Sequence, residues 1–465
     1  TAVATLTAAV GSMYTSIDGA ATSFGVDFNP AADALRVISN TGQNLRIVMN
    51  AGGGNVLGST FLDGNLARTD ASATPFADTA TAYTNSFDGT TSTRMFNLDI
   101  TNGNLIQQTN PNGGATAVAA PLFGSATAIT GTTGFDIDAS NNRGFALLTV
   151  GSSTIFYSIA IPDSTATLPV AGPAATAVGA INIQGVVGMT LALETAPQAV
   201  ALDGDTAGSQ RLLRFGIRTP NTATASTITG LPSGERLLSI DFRPSNGRLY
   251  GLSNAGKIFT INPDTGAATL GSTLSVATEI VNGVAAGKNY AIDFNPVADA
   301  LRIVSSGDGD NVSKNYRVPG ANLESTGATT TDTDLTLSGS GTGFGIAQIA
   351  YTNSFANPQP TSTRMFNIDA DNNRLLQQNP PNNGTQTVIG STGQTFNDYG
   401  GFDVSGGDNG MRLIAGRSGT TGAFSLFNID LSTGAVSAAA VASGTNEIGS
   451  GSVVSTDVRA LSVRF

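Results

Sequence analysis

The chain has 465 residues, 40% of them hydrophobic, with a net charge of −11 and only 12% charged side chains. A core of ordinary size is affordable, while a strongly acidic balance disfavours nucleic acid and anionic membranes as partners. Cys, His and Trp are absent, which excludes disulfides, thiolate catalysis, histidine bases and Cys/His zinc sites, and lysine is confined to Lys257, Lys288 and Lys314. Surface positions fall instead to Gly, Ala, Ser, Thr and Asn. That composition points to a secreted bacterial protein, at the cell surface or free of it. The sequence contains no signal peptide and no apolar run near 18 residues, and it begins at Thr1 without Met, as a processed or truncated chain would.

In chain order, the first clear pattern is Asp27-Phe28-Asn29-Pro30, followed by Ala34-Leu35-Arg36-Val37-Ile38-Ser39. It reads as strand, turn, strand. Arg94-Met95-Phe96-Asn97-Leu98-Asp99 then alternates apolar and polar residues, marking a half-buried strand that ends in a turn. Ile155-Phe156-Tyr157-Ser158-Ile159, Ile258-Phe259-Thr260-Ile261-Asn262, Arg364-Met365-Phe366-Asn367-Ile368-Asp369 and Leu426-Phe427-Asn428-Ile429-Asp430 share the form. The closing Asp or Asn opens a turn such as Asn262-Pro263-Asp264-Thr265-Gly266. Its short side chain bonds the backbone two residues on, and the Gly supplies a positive φ.

Long segments recur at an offset of 266 to 270 residues. Asp27 to Ser39 returns as Asp293 to Ser305, Tyr83-Thr84-Asn85-Ser86-Phe87 as Tyr351 to Phe355, and Gly134-Phe135-Asp136 as Gly401-Phe402-Asp403. The chain is a tandem duplication. Within it, third-strand markers fall near Leu45, Phe96, Phe156, Phe215, Phe259, Tyr316, Phe366 and Phe427, at spacings of 44 to 61 residues. Four antiparallel strands per such period make the blade of a β-propeller. The expected fold is therefore all-β and propeller-like, with about eight four-stranded blades and the marker Phe side chains buried between sheets. Residues 1–195 form an incomplete first unit of about three blades and residues 196–465 a complete second unit of about five, unless all eight close one continuous ring. The counterpart of Gln198 to Ala267 is missing from the front of the first unit.

The Asp-Phe-x-Pro…Leu-(Arg/Tyr) blade, the Tyr-Thr-Asn segment, the run from Asn379 to Gly384 and Gly400-Gly401-Phe402-Asp403 together resemble a secreted bacterial family, domain of unknown function 4394. The resemblance implies a propeller-like β fold outside the cell. It brings no activity and no catalytic residues.

Three groups of residues are candidates for chemistry. Asp27, Asp136, Asp241, Asp293 and Asp403 end innermost strands, where a ring of carboxylates would bind a cation or activate water; the plainer reading is that each caps its own turn or pairs with an Arg such as Arg36 or Arg302. Asp369, Asp371 and Asn373 have the D-x-D-x-N spacing of a calcium loop, but position 12 is Pro380 and position 6 is not Gly, so this is no EF-hand and a hairpin turn accounts for it. Asp308-Gly309-Asp310-Asn311 is a similar acidic turn. Arg94 and Arg364, near Tyr83 and Tyr351, would form a shelf for sugar or carboxylate, or pair with an Asp. No cofactor is expected, with calcium as the one metal the turns would accept.

Innermost-strand residues Val458, Ala460, Leu461 and Val463 at the C-terminus, and last-strand residues Ala2, Val3, Ala4, Thr5 and Leu6 at the N-terminus, belong to a blade whose middle strands the chain lacks. Unpaired apolar edges recruit other chains. The expectation is a non-enzymatic extracellular protein that assembles with itself into a filament, sheath or matrix through these edges. A propeller face that binds glycans or another polymer is the alternative, and a carboxylate- or metal-dependent hydrolase ranks last.

Overall fold

The computed structural model describes residues 6–49, 55–69, 78–87, 90–125, 127, 129–181, 188–191, 197–306, 313–339, 344–356, 359–396, 398–407, 410–417, 422–442 and 444–464. The chain is almost wholly β. Among the described residues the strands form eight sheets, each of four or five strands. The described residues contain one α-helix, Ala277–Ala285, and no helix among them is long and apolar enough to cross a membrane. Two compact units divide at Glu194 and Thr195.

The first unit holds three blades. Their innermost strands are Phe24–Asn29, Asp78–Tyr83 and Ile129–Ile137, and each lies against the next. The second unit holds five. Its innermost strands are Val458–Arg464 (blade 4), Leu237–Arg243 (blade 5), Tyr290–Asn295 (blade 6), Ile346–Tyr351 (blade 7) and Asp398–Ser405 (blade 8). Each packs against the next in that order, and the last returns to the first. Blade 4 is completed across the length of the unit: Val458–Arg464 runs antiparallel to Gln198–Asp203, with Leu461 opposite Ala201. This corrects the expectation for Val458, Ala460, Leu461 and Val463. Their strand already has its partner within the chain, because Gln198–Asp203 and the two strands after it are the outer strands of the same blade. At the other terminus, Ala2, Val3, Ala4 and Thr5 lie outside the described residues. Leu6 packs beside Tyr14, Val37 and Leu45.

The expected turn chemistry is present. Asn262 Oδ1 accepts the amides of Asp264 and Thr265 at 2.9 and 3.1 Å, and Gly266 has φ 74°. Leu45, Phe156, Phe215, Phe259, Tyr316 and Phe427 lie on third strands. Phe96 and Phe366 do not. Their strands, Met95–Asp99 and Met365–Asp369, pair directly with the innermost strands ending at Tyr83 and Tyr351, so they are second strands. Nor are these strands half-buried, since all five residues of each are buried. A blade is covered on both faces by its neighbours, so the polar alternate residue is buried too. Asn367 meets this by donating to Gln378 and Gln386 at 2.8 and 2.9 Å.

Phe366 sits in a cluster with Ile368, Leu375, Phe402 and Ile414. Phe366→Ala is expected to lower unfolding free energy by about 3–5 kcal/mol, from lost transfer energy plus the cavity left behind, as read from urea denaturation.

Candidate functional site

Innermost strands carry one equivalent residue near their end toward the next blade, and in most blades that residue is Asp. The carboxylate reaches across to the backbone of the neighbouring innermost strand. Asp241 Oδ2 accepts the Phe294 amide at 2.8 Å, Asp293 Oδ1 that of Tyr351 at 2.9 Å, and Asp403 Oδ2 that of Val463 at 2.5 Å. The position is Ala350 in blade 7, and in blade 4 it is Ser462, whose Oγ accepts the Phe242 amide at 3.0 Å and donates to Asp241 Oδ1 at 2.7 Å. The first unit repeats the pattern. Asp27 Oδ2 accepts from Tyr83 N at 2.6 Å, and Asp136 Oδ2 from Leu191 N at 2.7 Å and Thr190 Oγ1 at 2.9 Å. The glycine of Gly-Phe-Asp is required by this crossing: a Cβ on Gly401 would strike Leu461, and one on Gly134 would strike Met189.

The reading that each Asp caps its own turn or pairs with Arg36 or Arg302 is therefore corrected in one part. An oxygen of Asp241, Asp27 and Asp136 does accept the following residue's amide, yet the cross-blade bond is the shared feature and no Arg takes part. One oxygen each from Asp241, Asp293 and Asp403 lies within 4.8 Å of the others, and all three residues are buried. Burial pushes Asp241 up to about 7. Asp293 and Asp403 stand well above the ordinary carboxylate range, first from burial and then from the charge of Asp241 beside them. Three such groups so close cannot ionise together. The cluster can hold protons on the axis of the ring, and oxygen donors of this kind also suit a hard cation. In the first unit, Asp27 and Asp136 instead line a cavity of about 330 Å3 with Ser86, Phe87 and Thr190. Burial, with Asp136 nearby, pushes Asp27 up to about 7.

Asp369, Asp371 and Asn373 each have partners within the protein. Asp369 accepts from Gly345 N, Asn372 Nδ2 and Arg374 Nε at 3.1, 2.9 and 2.6 Å. Asn373 Oδ1 accepts the Phe396 amide at 3.0 Å, and the Asp371 carboxylate lies over Gly345. A guanidinium already balances the Asp369 charge. Asp308, Asp310 and Asn311 lie outside the described residues. Arg94 and Arg364 place their guanidinium groups 5.2 Å from the rings of Phe96 and Phe366, a cation–π arrangement rather than an open shelf.

The recurring motifs meet at a second place. Arg302, only 2% exposed, donates to Tyr351 Oη at 3.2 Å, Asn315 Oδ1 at 2.8 Å, Asp332 Oδ2 at 2.6 Å and Asn382 Oδ1 at 2.6 Å. Arg36 repeats the set with Tyr83, Asn44, Asp63 and Asn112. The Leu-Arg strand, the Tyr-Thr-Asn segment and the Asn-rich turn are thus parts of one buried knot tying a blade to the next.

No curated protein matches the chain. Similar solved structures include Saccharomyces cerevisiae Sqt1, at 12% identity over 85% of this chain and 93% of that one with a TM-score of 0.26. A Bacteroides thetaiotaomicron protein of unknown function matches at 14% identity over 84% and 93%, with a TM-score of 0.34. The extracellular domain of a hybrid two-component system from the same bacterium matches at 13% identity over 87% and 53%, with a TM-score of 0.27. At these scores the fold rests on the sheet order itself. Residues 1–186 and 211–449 match one family across both units, and the chain belongs to that family, described as Domain of unknown function (DUF4394), in a tandem arrangement whose first copy is incomplete.

Proposed function

We propose that this protein is a non-enzymatic extracellular building block that assembles with copies of itself through uncovered blade faces of its first unit. The observation carrying the proposal is a difference between equivalent residues. Tyr290, Ile292 and Phe294 pack against Tyr250, Leu252 and Ile258 of blade 5. Their counterparts Phe24, Val26 and Phe28 are 39%, 52% and 53% exposed, since the described residues of the first unit form no blade in that place. At the far end of the same three blades, Phe145 and Phe156 stack at 5.4 Å and remain partly exposed, whereas their counterparts Leu413 and Leu426 are buried. Both faces are those that a blade of this repeat covers in the second unit, and a second copy supplies such faces. A contact between unlike faces passes from copy to copy and grows a ring or a filament. Blade faces thus take the part that sequence alone gave to terminal strand edges. The absence of His and Cys and the hydrogen bonds already engaging the axial carboxylates support a role without catalysis.

The test is Phe24→Ser with Val26→Ser and Phe28→Ser, followed by sedimentation velocity and negative-stain imaging. The parent chain is expected to associate with rising concentration, and the triple variant to stay monomeric with an unchanged melting transition for the five-bladed unit. A parent chain that stays monomeric when concentrated, or a variant that assembles equally well, ends the proposal.

A further inference from the structure

We propose that the first unit binds a neutral sugar ring, as at the end of a glycan chain, in the cavity beside Asp27 and Asp136. The cavity holds about 330 Å3, within the range of small-molecule sites. Its lining mixes two kinds of group. Phe28 and Phe87 supply apolar walls, while Asp27, Asp136, Ser86 and Thr190 bring oxygen atoms. Such a lining suits an amphipathic ligand, apolar on its C–H faces and ringed by hydroxyl groups.

The oxygens outnumber the donors around them. Asp27 accepts the amides of Phe28 and Tyr83 at 2.8 and 2.6 Å. Asp136 accepts those of Ile137 and Leu191, both at 2.7 Å, and Thr190 Oγ1 at 2.9 Å. A carboxylate offers about four lone-pair sites, so about two remain on Asp27 and about one on Asp136. Among the described residues no Lys or Arg lines the cavity. Thr190 donates its proton to Asp136, and Ser86 donates its own to the Tyr83 carbonyl at 3.1 Å, which leaves both hydroxyls with lone pairs only. Asp138, the third carboxylate of the lining, is taken up by its own turn through Ser140 and Asn141. The missing donors must come from a ligand, and a hydroxyl bonded to a carboxylate is among the stronger hydrogen bonds. A cation would also answer unfilled acceptors, but it requires ionised carboxylates. Burial first, then the charge of Asp136, pushes Asp27 up to about 7. Near neutral pH its carboxyl is partly protonated and both donates and accepts, as a sugar hydroxyl does.

The cavity exists where the repeat is broken. In the second unit the innermost strand of blade 5 brings Asp241 against Asp293 and Asp403, the counterparts of Asp27 and Asp136. The described residues of the first unit form no such strand. Phe294 is accordingly 1% exposed, whereas its counterpart Phe28 is 53% exposed and leaves a ring face at the rim for a sugar to pack on. The competing explanation is a gap that only the next copy's blade fills. The sugar site goes beyond that assembly reading and shares Phe28 with it, so binding is measured where the chain is dilute.

The experiment is a ligand-observed NMR titration of the full chain, dilute enough to sediment as a single species, with the methyl glycosides of glucose, galactose, mannose and N-acetylglucosamine, and with methylammonium as the cationic control. At least one glycoside should bind saturably. Asp27→Asn should weaken that binding about tenfold, the loss of a charge-assisted contact. Phe28→Ala should weaken it about fivefold, the loss of a ring face. Should Asp27→Asn fail to fold, Phe28→Ala, at an exposed side chain, reads the same site. Absence of saturable binding by all four glycosides overturns the proposal, as does equal binding by the parent and the folded variants. Methylammonium binding that Asp27→Asn abolishes would mark a cation site instead and overturn it too. A chain that assembles but binds no glycoside defeats this proposal alone, and one that binds a glycoside but stays monomeric when concentrated defeats the assembly reading alone.

Discussion

Arg302→Ala should destabilise the five-bladed unit by about 3–5 kcal/mol, the usual cost of removing one partner from a buried, fully bonded ion pair. Two carboxylate oxygens and two amide oxygens converge on this side chain or its neighbours. Asp332, itself 8% exposed, would keep only the weaker approach of Arg317, at 3.3 Å from a side chain 34% exposed. Tyr351 Oη and Asn315 would lose their donor in a buried space, and Asn382 would lose it at the exposed rim. Arg302→Lys should recover little, because one ammonium cannot present the fork that reaches Tyr351, Asn315, Asp332 and Asn382 together. Urea unfolding followed by intrinsic tyrosine fluorescence gives the number, and Arg36→Ala should act in the same way on the first unit. A loss below about 1 kcal/mol, the level of an exposed ion pair, would mean that the knot contributes nothing beyond surface electrostatics.

That knot marks where sequence reading reached its end. Its parts were visible as separate recurring motifs: Leu301-Arg302, Tyr351-Thr352-Asn353, and Pro380-Pro381-Asn382. Their meeting was not, since Arg302 and Asn382 are 80 residues apart and a strand pattern carries no record of which blade face touches which. The same limit explains the axial carboxylates. Asp followed by Phe and a turn residue looks like a local cap, and one oxygen of Asp241 does cap locally. The partner that matters, the Phe294 amide, is 53 residues on. Ser462 and Thr190 occupy equivalent places but share no residue type with Asp, so only the bond pattern identifies them. Blade number was legible because turn chemistry repeats with the period. The rank of Phe96 and Phe366 within their blades was not, because the Asp-Phe-x-Pro motif that announces a second strand elsewhere is absent before them. Closure of blade 4 by the C-terminal strand needed contacts between residues about 260 positions apart, which an edge-strand argument from the termini alone cannot supply.

The axial carboxylates give the second large effect, a stability that falls as pH rises. Asp241 titrates at about 7 in the folded protein because burial disfavours its charge, and Asp293 and Asp403 are raised by the same cause and by their neighbour's charge. Unfolded, all three return to the ordinary range near 4. Between those limits the folded state holds protons that the unfolded state has released, so raising the pH favours unfolding. The stabilising contribution is complete below about pH 4 and is lost as pH climbs through the raised folded values, about 7 for Asp241. For Asp241 alone the shift corresponds to about 4 kcal/mol. The melting temperature of the five-bladed unit should therefore drop by roughly 5–15 °C between pH 5 and pH 8.5. Asp293→Asn is the sharper probe. Its amide oxygen can still accept from Tyr351 N, and it removes one of three mutually repelling charges, so the variant should melt higher than the parent at pH 8.5 and show a flatter pH profile. A parent protein that gains stability with rising pH would mean the cluster is ionised and paired with something other than protons. Calcium that raises the melting temperature at pH 8.5 in the parent, and not in Asp293→Asn, would identify that partner as a cation seated among Asp241, Asp293 and Asp403.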